Sequence, residues 1–251
     1  MKLAVSGKGG VGKTTIVAGL ARVLTDRGQK VLVIDADPAS NLALALGIPR
    51  ERRMKPISEM KELIEERTEA KPGSMGGFFK LNPRVDDLPD QFSVEKDGIR
   101  LMVMGTVQKG GGGCVCPENV MLRNLVAHLL LGRNEVVILD MEAGVEHLGR
   151  ATAKAVNKLI VVVEPGQRSL EVAQKIRQLA GDIGLENIGL VGNKIRGEAD
   201  REFLLRGMPE LPFLGFIAMD PRIVEADLSG KPPFADNPEF LESMRTIADK
   251  L

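Results

Sequence analysis

Two stretches of this chain carry residue types whose spacing can do chemistry. The first, Gly7-Lys8-Gly9-Gly10-Val11-Gly12-Lys13-Thr14, satisfies the phosphate-loop spacing G-x-x-x-x-G-K-[ST]. Glycines there let backbone N–H groups close around phosphate oxygens, Lys13 supplies positive charge, and the Thr14 hydroxyl can hold Mg²⁺. Gly7, Gly9 and Gly12 also spell G-x-G-x-x-G, and Asp35 closes the next apolar run as a dinucleotide site requires. That alternative leaves Lys13, Thr14 and Thr15 without a purpose, whereas a triphosphate with Mg²⁺ uses all three. The second stretch is Cys114-Val115-Cys116, holding the only two cysteines of the chain behind four glycines at 110–113.

Three further positions complete a nucleotide site. Asp37, in "VIDADPASNL", follows an apolar run that ends beside the phosphate loop, where a carboxylate can orient or deprotonate an attacking water. Asp35 in the same segment is the alternative, with Asp35 otherwise a structural strand-end carboxylate. "EVVILD" ends in Asp140, placed as the carboxylate that holds a Mg²⁺-bound water. In "LVGNKIRGE", Asn193 offers one donor and one acceptor suited to an adenine edge. A guanine site calls for N-K-x-D, and the fourth position here is Arg196, which cannot accept a hydrogen bond. ATP and ADP are therefore the expected nucleotides.

The cysteines admit two readings, packed or incidental thiols and a metal site. Glycines 110–113 and Pro117 argue against a packed core position. In extended backbone, residues i and i+2 point the same way, so both sulfurs can face one ion. A symmetric dimer bringing two such loops to its axis supplies four thiolates, suited to tetrahedral Zn²⁺ or square-planar Ni²⁺. His147 is read as solvated or capping, with a third metal ligand as the alternative. His128 reads as structural, and Met102 and Met104 as core.

Short β-branched runs alternate with longer helical patterns along the chain. Strands are predicted at Lys2–Ser6, Lys30–Asp35, Arg100–Met104, Val136–Asp140, Leu159–Val163, Ile188–Gly192 and Phe213–Ile217. Helices are predicted at Lys13–Asp26, Pro117–Leu131, Arg168–Ile183 and Asp236–Lys250. Strand runs without polar alternation call for a mostly parallel sheet with helices on both faces, an α/β fold whose ligands bind at the carboxyl ends of the strands. Every motif above falls on that edge. The 251 residues are expected to form one domain, with a surface excursion at about 49–98 holding one amphipathic helix, Ser58–Arg67, and the Gly/Pro-rich "KPGSMGGFFKLNPRVDDLPD". A docking surface is the other reading of that excursion.

Composition narrows the partners. Lys+Arg and Asp+Glu number 34 each, so no global field attracts nucleic acid or an anionic bilayer, and the absence of Trp and Tyr argues against a base-stacking surface. Two cysteines one residue apart cannot form a disulfide framework, which points to a reducing compartment. Met1 runs straight into an apolar strand, and no apolar run reaches membrane-spanning length. A cytoplasmic protein that binds neither nucleic acid nor membrane is expected.

"GKGGVGKTT" resembles the deviant phosphate loop of the MinD/ParA/nitrogenase-iron-protein ATPases. The resemblance implies that Lys8 reaches across a nucleotide-sandwich homodimer to the partner's phosphates, with a role like an arginine finger. It also implies that Asp37, in the matching Asp-Pro segment, activates water, and that the Gly144 N–H, in "DMEAG", senses the γ-phosphate. Together with "GGGGCVCPEN" and "DMEAGVEHLGR", the loop resembles the CooC-type nickel-insertion ATPases. That implies an ATP-hydrolysing homodimer carrying metal on Cys114 and Cys116 and delivering it to a client nickel enzyme, carbon monoxide dehydrogenase or acetyl-CoA synthase. The rival is a positioning or partition ATPase of the MinD/ParA type. Membrane-bound versions end in a basic amphipathic helix, whereas residues 236–251 hold four acidic residues (Asp236, Glu239, Glu242, Asp249) against two basic (Arg245, Lys250).

Overall fold

The computed structural model describes residues 1–37, 41–71, 79–105, 117–132, 134–145, 148 and 150–251. Eight strands form one sheet: β1 (Lys2–Gly7), β2 (Val31–Asp35), β3 (Ser93–Lys96), β4 (Ile99–Val103), β5 (Val136–Asp140), β6 (Lys158–Val163), β7 (Ile188–Ile195) and β8 (Phe213–Ala218). Their order is β3-β4-β2-β5-β1-β6-β7-β8. Every pairing is parallel except β3–β4, which is antiparallel. The predicted α/β class and mostly parallel sheet are what the chain adopts. All seven predicted strands are present, with ends shifted by a residue or a few.

Helices cover both faces. In chain order they are α1 (Lys13–Asp26), α2 (Leu42–Ala45), α3 (Lys61–Thr68), α4 (Leu88–Gln91), α5 (Pro117–Leu131), α6 (Arg150–Ala153), α7 (Gln167–Asp182), α8 (Glu198–Gly207), α9 (Pro221–Leu228) and α10 (Pro238–Ala248). Alternate residues of each strand feed opposite layers. Leu3 and Val5 pack with Ile16, Leu20, Phe240 and Met244, from α1 and α10. Ala4 faces the other layer, where Leu125, Leu129, Leu170 and Ile176 come from α5 and α7. Such two-sided burial is the reason β5 and β6 read as unbroken apolar runs.

Residues 49–98, read from sequence as an excursion, contribute Ile57, Ile64, Val85 and Leu88 to the core and end in the edge strand β3. Their helix lies at Lys61–Thr68, a few residues beyond the expected start. The sequence reading contained neither β3, α8, α9 nor the short α2, α4 and α6.

β1 lies between β5 and β6, where the strand order reverses, so the turn leaving its carboxyl end opens into the crevice at the reversal. That turn leads into α1, which α10 holds down. Gly19 on α1 makes the contact possible: a Cβ there would come within 2.7 Å of Met244 Cγ and Phe240 Cε1. Gly19→Val should therefore overpack this junction and destabilise the fold by about 1–3 kcal/mol. Urea unfolding reads this directly, and an unchanged midpoint would contradict the packing described.

Candidate functional site

The phosphate loop spans the end of β1 and the first turn of α1. Gly7 and Gly12 are fixed by geometry. Gly7 has φ +152°, and a Cβ there would sit 2.5 Å from the Val162 carbonyl oxygen on β6. Gly12 has φ +96°, and a Cβ would run into the Asn193 side chain. Asn193 itself is buried and donates from Nδ2 to the Val11 carbonyl at 2.7 Å, bracing the loop from β7. This bracing contact was absent from the sequence reading, which gave Asn193 to the base.

Gly9, Gly10, Gly12, Lys13, Thr14, Thr15 and Asp37 line a cleft of about 850 Å³, while Val11 is buried beneath the loop. The cleft continues past Asn41 and Lys194 to Ile223 and Asp227 on α9. Lys13 is 7% exposed, and its Nζ lies 4.0 Å from Asp37 Oδ2. The first-turn hydroxyl of Thr14 donates to Asp140 Oδ2 at 2.7 Å. Thus the structure brings together the loop cation, the loop hydroxyl and two of the predicted carboxylates.

Asp140 is 1% exposed and its second oxygen, Oδ1, has no hydrogen-bond partner. Burial pushes its carboxyl up to about 7, against the Thr14 hydrogen bond and the charge of Lys13, with Asp35 and Asp37 adding repulsion. A buried carboxylate oxygen without a donor, beside a threonine hydroxyl at the cleft floor, suits Mg²⁺ carrying its own waters. Thr14 and Asp140 are the residues that would hold the ion, whose charge would offset that of the nucleotide phosphates.

Asp35 pairs with Asp140 across β2 and β5 but has a different job. It is fully buried and accepts from the backbone N–H of Asp37 at 3.2 Å and of Leu42 at 3.1 Å. Burial raises its carboxyl to about 6 despite those donors. Asp35 holds the backbone of Asp37 and of Leu42, and Asp37 is left at the cleft wall.

Lys8 leaves the loop on the other side. Its Nζ lies 2.9 Å from Glu164, at the end of β6, whose other carboxylate oxygen accepts from Lys194 at 2.9 Å. Lys194 also donates to the Gly10 carbonyl at 2.6 Å. Partial burial pushes Glu164 up, and the hydrogen bonds from Lys194 and Lys8 outweigh it, holding the carboxyl below its ordinary value. Glu164, Lys194 and Ser6 were missed from sequence. Glu164 had a signal, since it follows an apolar strand on the ligand edge as Asp140 does. Cys114, Cys116 and His147 lie outside the described residues. Among the described residues no group of three or more His, Cys, Asp or Glu is placed to hold a metal ion, and no helix is long and apolar enough to cross a membrane.

Residues 2–234 match the model of the CobQ/CobB/MinD/ParA nucleotide binding domain. The chain is 50% identical over 232 residues to the carbon monoxide dehydrogenase accessory protein CooC of Rhodospirillum rubrum, covering 92% of this chain and 88% of that one. It is 48% identical over 235 residues to an uncharacterised ATP-binding protein of Methanocaldococcus jannaschii, covering 92% and 90%. Among solved structures, a chain of the MinC:MinD cell division protein complex of Aquifex aeolicus superposes with a TM-score of 0.72 at 20% identity, covering 99% of this chain and 94% of that one. This last likeness is one of fold.

The buried Asp140 sets a pH dependence. Its carboxyl has an ordinary value of 3.8, which the unfolded chain restores, whereas the folded protein holds the proton up to about 7. Between those values the folded state binds more protons, so stability falls as pH rises. Urea midpoints without nucleotide should drop from pH 4.5 to 7.5, and Asp140→Asn should drop less. Equal slopes would contradict a buried Asp140 that holds its proton in the folded state.

Proposed function

The chain belongs to the CobQ/CobB/MinD/ParA nucleotide-binding family, among its CooC-type ATPases, and we propose that it is a metal carrier driven by its ATPase cycle. In this reading two copies form a homodimer around nucleotide. Cys114 and Cys116 of both chains hold one Ni²⁺, or Zn²⁺, as cargo for carbon monoxide dehydrogenase or acetyl-CoA synthase. The observation that carries it is the C-x-C pair in a chain half identical to a carbon monoxide dehydrogenase accessory protein.

The roles follow from the site. Lys13 and the N–H groups of Gly9, Gly10, Val11, Gly12, Thr14 and Thr15 take the phosphates, while Thr14 and Asp140 receive Mg²⁺. Asp37, whose carboxylate lies 4.0 Å from Lys13 Nζ at the cleft wall, orients the attacking water. Asn193 braces the loop through Nδ2 and keeps its oxygen for the adenine amino group. Lys8 acts across the dimer, leaving Glu164 for the partner's phosphates as charge develops on them. Because Lys8 must come from a second chain, hydrolysis by the monomer is slow.

Asp37→Ala should bind ATP as the wild type does and hydrolyse it at least about a hundredfold more slowly, the scale of a lost general base. Lys13→Ala should lose nucleotide binding. Equal turnover in wild type and Asp37→Ala would remove Asp37 from the reaction. The carrier reading is tested by anaerobic titration of tag-free protein with Ni²⁺. Binding should saturate at about half an ion per chain with thiolate charge-transfer bands, as a four-thiolate site shared by two chains requires. It should vanish in Cys114→Ser/Cys116→Ser. Saturation at one ion per chain, or unchanged affinity in the double variant, would overturn the shared site.

A further inference from the structure

Ser6 is the penultimate residue of β1, just before Gly7 opens the phosphate loop, and reads from sequence as an ordinary strand residue. It is fully buried, yet its hydroxyl faces the segment that follows β5. Ser6 Oγ lies 2.7 Å from the Glu142 carbonyl oxygen and 2.8 Å from that of Gly144. It also accepts from the Gly144 N–H at 3.1 Å. One hydroxyl proton serves one carbonyl at a time, so the hydroxyl alternates between the two while its lone pair holds the amide. Three backbone groups of one turn therefore converge on a single side chain.

The Gly144 amide is thereby occupied. It shares its proton between Ser6 Oγ and the Glu142 carbonyl at 2.9 Å. If the γ-phosphate is to take that N–H, the turn must first let go of Ser6. We infer that Ser6 is a latch: its hydroxyl holds residues 142–144 in place and competes with the γ-phosphate for the Gly144 N–H. The inference rests on the reading of Gly144 as the γ-phosphate donor. Ser6 touches no nucleotide and is a positioning residue, acting through the turn.

The competition has a direction. A phosphate oxygen is a charged acceptor and makes a stronger hydrogen bond than a neutral hydroxyl, so the exchange runs toward ATP once the γ-phosphate is present. ADP has no γ-phosphate and leaves the latch shut. A ligand shifts such an equilibrium only by its differential affinity for the two positions. Weakening the latched position therefore tightens ATP and leaves ADP alone. A serine that merely holds the fold together would move both nucleotides in step.

The test is calorimetric affinity for ADP and for a non-hydrolysable ATP analogue, measured on the full chain as wild type, Ser6→Ala and Ser6→Thr. Ser6→Ala should bind the analogue about three- to tenfold more tightly, the effect of one or two lost hydrogen bonds, with ADP within about twofold. Ser6→Thr keeps the hydroxyl and should restore the wild-type ratio. Parallel changes for both nucleotides in Ser6→Ala, or an unchanged ratio, overturn the latch. So does a Ser6→Thr ratio that stays with Ser6→Ala. Gly144→Pro, which removes the amide, separates the premise from the latch. A ratio unchanged by that variant removes the γ-phosphate contact and the latch together. A ratio lowered by Gly144→Pro but unmoved by Ser6→Ala removes the latch alone.

Discussion

A buried carboxylate with one committed oxygen and one idle oxygen organises this molecule. Asp140 sits at the end of a central strand and accepts at Oδ2 from the Thr14 hydroxyl, while Oδ1 has no partner. Leaving such an atom unsatisfied is costly in a packed interior, and β2 and β1 hold it there through continuous parallel pairing with β5. The strain has a natural outlet, a cation at the cleft floor. Around that point the other features arrange themselves. The phosphate loop delivers Thr14 from one side, Asp35 fixes the turn that presents Asp37 from the other, and the turn after Asp140 returns to Ser6.

The loop is braced rather than free. Asn193 holds the Val11 carbonyl from β7, Lys194 holds the Gly10 carbonyl, and Glu164 gathers Lys194 together with Lys8. All three bracing residues come from strands beyond β1 at the reversal of strand order. The half of the sheet formed by β6 and β7 therefore sets the loop's shape, while the half formed by β2 and β5 supplies the carboxylates. The two halves meet at β1. On the proposed function, this division lets one cleft register both the nucleotide's phosphates and, through the turn after β5, the presence of the last of them.

What was legible in the sequence was whatever repeats locally. The loop spacing, the apolar strands and the strand-end aspartates each fit within a few neighbouring residues, and seven strands, the phosphate loop, Asp37 and Asp140 were readable for that reason. What escaped depends on distant partners. Ser6 gains its meaning from residues 136 and 138 positions away in the chain, and Asn193 braces a carbonyl 182 positions away. β3 is a short edge strand with mixed exposure, so it lacks the unbroken apolar signature of the central strands. α9 exposes Val224 and Leu228 and buries only Ala226, which gives it no clean buried stripe. Cys114 and Cys116 were legible as chemistry, a pair able to face one ion, and belong to a segment outside the described residues.

In the proposed function, nucleotide state and metal affinity are one coupled equilibrium. A carrier must hold its ion and then release it, which a single fixed affinity cannot do. If ATP at the dimer face resets how two cysteine pairs approach, linkage requires that metal alter nucleotide affinity by the same factor as nucleotide alters metal affinity. The most direct measurement is Ni²⁺ affinity of the full chain without nucleotide, with ADP and with a non-hydrolysable ATP analogue. The account predicts affinities that differ between the states, matched by an equal change in nucleotide affinity when metal is added. Identical Ni²⁺ affinities in all three would contradict it and leave the cysteine pair a passive thiol site.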